Sequence, residues 1–170
     1  MFKKAIVLLF IISVVLLSFS AFYRYNQYIL AWQANQHINV SGIKLMMEEY
    51  EVKGLIGKEE AYMPGFGGYR IEYPSKGIFL SFLDDRDTDF YKKVNEIVIT
   101  DSQHEIYGIK VGDEFNKSVN NIYKYGFAVK KEGYQGYWQK NMYIRLDKEY
   151  DKVHRITIGI RDRVSSSRIY

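Results

Sequence analysis

Hydrophobic and polar positions divide this chain into one long apolar run and two similar stretches of short periodic segments. The run from Ala5 to Phe22 carries no charge, and at helical rise its length approaches the roughly 30 Å of a bilayer's hydrocarbon. It predicts a transmembrane signal anchor over 5–22. Lys3 and Lys4 mark 1–4 as a cytoplasmic stub and send the rest outside. Phe22, Tyr23, Tyr25, Tyr28 and Trp32 follow as an interfacial aromatic belt, in a stalk and linker over 23–40. Ser18-Phe19-Ser20 before Ala21 also suits signal peptidase, so a cleaved, secreted chain is the second choice.

Beyond residue 40 the period changes. A helix is expected from Met47 to Ile56, with Val52, Leu55 and Ile56 on one face and Gly57 as its stop. Tyr69, Ile71 and Tyr73, then Ile78, Leu80 and Phe82, alternate as strands around a Pro74–Gly77 turn, and another strand surrounds Val94, Ile97 and Ile99. The pattern then recurs. Asp113 is placed to cap a helix over 114–125 whose stripe is Phe115, Val119 and Ile122. Strands follow near 127–129, 136–139, 142–146 and 153–160, and 164–170 reads as a loose tail.

Two landmarks tie the stretches together. Gly42-Ile43-Lys44 returns as Gly108-Ile109-Lys110, and Lys93-Val94-x-x-Ile97-x-Ile99 returns as Lys152-Val153-x-x-Ile156-x-Ile158. Their shared order predicts a tandem duplication: repeat 1 over 41–101 and repeat 2 over 102–163. Each is a helix on an antiparallel meander, α+β in class, behind the anchor.

Composition narrows the function. Without cysteine there is no disulfide, thiolate site or lipidated cysteine. The net charge of +4 is dispersed, unlike the basic stripe of a nucleic-acid binder. Sixteen tyrosines against two prolines favour β-rich units with aromatic faces.

The element Gly108-Ile109-Lys110-Val111-Gly112-Asp113-x-Phe115, then a helix ending in glycine and a meander, resembles the small outer-membrane-assembly lipoproteins of the SmpA/OmlA (BamE) type. Two such units in tandem resemble the β-lactamase inhibitor protein architecture. The first copy departs from the motif at Met46-Met47. The resemblance implies a binding scaffold outside the cytoplasm, and no catalytic residue transfers with it.

The candidate chemistry is sparse. Asp85, Asp87, Asp89 and Glu96 fall at positions 1, 3, 5 and 12 of a calcium loop, but Phe90 replaces its glycine and Lys93 its ninth ligand. That segment therefore reads as a solvated loop, and no metal or cofactor is expected. His37, His104 and His154 lack metal spacing, and Pro64–Gly68 reads as a connector. No nucleophile elbow is present, so no enzyme is expected. The expected function is binding. Trp138, Tyr137, Tyr134 and Tyr143, with Tyr69 and Tyr73, are the candidate anchors on uncovered sheet faces for an envelope protein. A wall-glycan or polyanion binder, motivated by Lys130, Lys131, Arg145 and Arg155, is an alternative. So is an immunity or inhibitor protein.

Overall fold

Backbone hydrogen bonds place the two landmarks at equivalent positions. In the first copy Met46 N–H donates to Val94 O, Val94 N–H to Met47 O and Glu49 N–H to Lys92 O, at 2.8, 2.9 and 3.1 Å. In the second, Gly112 donates to Val153, Val153 to Asp113 and Phe115 to Asp151, at 2.8, 2.9 and 2.9 Å. Each Gly-Ile-Lys turn thus clips its helix start to the Lys-Val strand of its own half. Gly42 and Gly108 sit at φ 80° and 71°, the left-handed region where a side chain is strained. The isoleucine after each is sealed into the core, at 0% and 1% exposure.

The computed structural model describes residues 2–129 and 136–162, without the side chains of 2–9 and 20–25. Helix α1 (Phe2–Asn35) precedes β1 (Ile38–Asn39), α2 (Glu49–Ile56), β2 (Ala61–Gly65), β3 (Gly68–Tyr73), β4 (Ile78–Leu83) and β5 (Val94–Ile99). The second half runs β6 (Glu105–Ile106), α3 (Phe115–Lys124), β7 (Ala128–Val129), β8 (Tyr137–Gln139), β9 (Met142–Glu149) and β10 (Lys152–Ile160). Strands β1 and β6 pair with each other, and the other eight form one sheet in the order β2-β3-β4-β5-β10-β9-β8-β7. All its pairings are antiparallel. The class is α+β.

The expected architecture needs two corrections. The halves are not two tandem units, each with its own sheet. Their last strands, β5 and β10, pair along Ile99↔Ile156 and Ile97↔Ile158, fusing both meanders into one layer. An isoleucine-rich edge left unpaired would expose both its ladder and its apolar side, and each half supplies the other's missing neighbour. The second correction concerns the anchor over 5–22 and its stalk. Among the described residues no helix is long and apolar enough to cross a membrane. The expected linker is also folded: Leu30, Ala31, Ala34, Ile38 and Val40 are buried. The Asn35 side chain clamps Leu45 both ways, accepting from its N–H at 2.8 Å and donating to its O at 3.0 Å. Lys44 Nζ donates to Asn35 O, a carbonyl that the end of α1 leaves open, and to Ile38 O of β1, at 2.8 and 2.9 Å.

Smaller departures have local causes. Glu114, not Asp113, caps α3, accepting from Asn116 N–H at 3.0 Å, because Asp113 already accepts from Lys110 N–H at 2.8 Å. The expected connector at Pro64–Gly68 is the end of a β-hairpin, with Gly65 paired to Gly68. Leu55, expected on the packed face of α2, is 54% exposed. The tail at 164–170 lies outside the described residues.

One core contains Val52, Ile71, Leu80, Ile97, Ile122, Ile144 and Ile158, and Ala31 and Ala34 of α1 belong to it. The helices therefore pack on a single side of the sheet. Val98 is buried but stands apart from that core, because its side chain belongs to the opposite side.

Candidate functional site

Strand alternation assigns each candidate aromatic to a side. Tyr69 and Tyr73 share parity with Ile71 and lie in the core at 9% and 1% exposure. Their hydroxyls turn inward: Tyr73 donates to Gly57 O at 2.9 Å, and Tyr69 donates to the Glu49 carboxylate. They are core residues, not contact residues, which corrects the expectation. Tyr137 packs against the same core and meets Tyr123 edge-on at 5.6 Å. Tyr134 lies outside the described residues.

Trp138 and Tyr143 have the opposite parity. They face each other across β8 and β9, with ring centroids 5.0 Å apart and planes at 36°. The Tyr143 ring lies over Gly159 of β10, where a Cβ would stand 2.5 Å from the hydroxyl oxygen. Only a residue without a side chain lets the ring cross there, and its hydroxyl then donates to Glu96 Oε2 on β5. Ser81 Oγ donates to the other oxygen, Oε1, at 3.1 Å. Ser81 pairs with Arg70 of β3. One row thus crosses the side opposite the helices, from Arg70 through Ser81, Glu96 and Tyr143 to Trp138. Burial raises the Tyr143 phenol, and the facing Glu96 charge and hydrogen bond raise it further, so it stays a protonated donor. Arg145 and Arg155 flank the row, each 3.5 Å from Asp147.

Chain order hid Glu96, Ser81, Gly159 and Arg70. The signal available was parity: a charged residue inside Val94–Ile99 and a glycine inside Ile156–Ile160 mark positions that the core does not want.

Other features form no site. Asp85 Oδ1 accepts from Asp87 N–H at 3.1 Å within its own turn. Among the described residues no group of three or more histidine, aspartate or glutamate side chains is placed to hold a metal. His104 meets Lys76 O at 2.8 Å, and exposed His154 lies 3.1 Å from Glu149. A shallow hollow of about 530 Å³ along α3 mixes Asp113 and Glu114 with Lys117 and Lys124, so it selects no ligand charge.

Buried Tyr69 carries an acid-stability prediction. Burial pushes the Glu49 carboxyl up, but hydrogen bonds from Lys53 and Tyr69 and the charges of Lys53 and Lys92 outweigh it, and the net shift is down. A depressed carboxylate stabilises the fold above its unfolded value near ~4.3, and that contribution disappears as pH falls through its folded value. Urea midpoints between about pH 5 and 3 are expected to fall less steeply in Glu49→Gln than in wild type. Parallel curves would contradict this.

No family model matches the chain, and no curated protein matches it. Among solved structures it is similar to a 1.5 Å crystal structure of an extracellular protein containing a SCP domain from Bacillus anthracis str. Ames. The TM-score is 0.52 at 9% identity, covering 74% of this chain and 47% of that one. At such identity the likeness concerns the fold alone, and the chain spans about half of that protein's length, 47%.

Proposed function

We propose that this chain is a non-catalytic binding module that works outside the cytoplasm and holds an envelope protein on the uncovered side of its sheet. The observation that carries the reading is the row from Trp138 through Tyr143, Glu96 and Ser81 to Arg70, on the side opposite the helices. It joins an aromatic anchor to pre-positioned polar groups, the composition that concentrates binding energy in protein interfaces. The similarity to an extracellular protein supports the address. The polyanion alternative loses ground because Arg145 and Arg155 are both turned to Asp147, and Lys130 and Lys131 lie outside the described residues.

Replacing Trp138 by alanine is expected to lower partner affinity by roughly thirtyfold or more while circular dichroism shows the fold retained. Tyr50→Ala, on a side chain 73% exposed on α2, is the control and should bind as wild type does. Undiminished binding by Trp138→Ala would remove the proposal.

A further inference from the structure

We propose that a hollow beside the β2–β3 hairpin, on this same uncovered side, takes a short peptide segment of the partner with an apolar side chain next to an acidic one. The inference rests on the reading of that side as the partner surface. It commits that surface to a ligand chemistry.

The hollow is shallow, about 370 Å³, with Met63, Pro64, Phe66 and Leu83 among its apolar walls and Arg70, Ser81 and Asn95 among its polar groups. It exists because the register between β4 and β5 shifts after Ser81 and moves Asn95 out of the ladder. Facing glycines at 65 and 68 add no side chains to fill the gap. Phe66 is 98% exposed and Met63 53%. Side chains this apolar are held in water only at a cost that an apolar occupant relieves.

Two polar groups define what else the occupant carries. Asn95 lines the hollow, and its Oδ1 is buried without a hydrogen-bond donor among the described residues, a state that turning the side-chain amide toward a donor in the hollow would relieve. A peptide N–H is such a donor. Arg70 lies 3.6 Å from Glu72 with its side chain 44% exposed, and a guanidinium has donors for a second carboxylate. A sugar would satisfy the polar groups but leave Met63, Pro64 and Leu83 against hydroxyls, so these walls favour a peptide. Pro64 has no N–H to offer along the β2 edge, which directs the segment onto the face instead of into an added strand.

The test titrates the full ¹⁵N-labelled chain with three blocked tetrapeptides, Gly-Phe-Asp-Gly, Gly-Phe-Lys-Gly and Gly-Ala-Asp-Gly. Shifts are expected at the Asn95 side-chain amide, Arg70 and Phe66, with the Phe-Asp peptide binding about tenfold tighter than either of the others. Arg70→Glu should reverse the preference between aspartate and lysine. Tyr50→Ala, on α2, should leave tetrapeptide binding unchanged. No localised shifts, or equal binding of all three peptides, overturns the inference. If that happens while partner binding still depends on Trp138, the inference falls alone; if Trp138 is also dispensable, the broader reading falls with it.

Discussion

Cutting Ile158 back to alanine is expected to lower the unfolding free energy by about 3–5 kcal/mol and to weaken both halves of the sheet equally. Ile158 is fully buried, pairing with Ile97 on one side and Ile144 on the other. Its side chain therefore packs in the strand where the two meanders become one layer. Losing three carbons there leaves a cavity bounded by strands of both halves, with little freedom to collapse. Native-state hydrogen exchange reads the result residue by residue. Protection of the β3 and β4 amides, in the half that does not contain the substitution, should fall about a hundredfold or more, as should that of β9. A loss confined to β8–β10 would mean that the halves open independently and that the pairing of β5 with β10 carries little cooperativity.

The second large effect is expected at Gly159. An alanine Cβ would stand 2.5 to 2.8 Å from the Tyr143 hydroxyl oxygen and two ring carbons, inside any permitted contact. The ring must leave its place over β10, taking its hydroxyl from Glu96 and its face from Trp138. Overpacking of this kind costs about 1–3 kcal/mol. Partner binding should fall with it, although Gly159 itself offers no side chain to a partner. The clash needs the ring, so Tyr143→Ala is expected to make Gly159→Ala nearly harmless. A double-mutant cycle by urea denaturation should thus return a coupling of about 1 kcal/mol or more. Additive effects would place the cost in the β10 backbone instead.

The fold and the site were legible in the sequence to different depths. Strand positions came from period-two alternation, and the seam strands reveal why pairing did not. Val94–Ile99 and Lys152–Ile160 each read as a buried strand, but alternation states which side a residue faces, not which strand lies beside it. The anchor expectation rests on the apolar run of 5–22, the lysines before it and the aromatic belt after it, all local features. The packing of Leu30, Ala31 and Ala34 depends on contacts with distant segments that no local window contains. The burial of Tyr69 and Tyr73 follows from strand parity. Both alternate with Ile71, so whatever buries Ile71 buries them, and that information was already in the residues. Tyr137 and Trp138 are neighbours on one strand and had to face opposite ways; sequence could not say which was outside. The link from Tyr143 to Glu96 spans three strands and depends on Gly159 being empty, so it becomes visible only once β5, β10 and β9 lie side by side.

The partner is expected to meet the side of the sheet opposite the helices. A photoactivatable phenylalanine analogue placed at 81 or 138 on that side, and at 50 or 123 on the helices, reads the contact directly in cells that make the chain. Discrete adducts to one protein from 81 and 138, with none from 50 and 123, are the predicted result. Adducts from the helix positions with none from the sheet positions would contradict it.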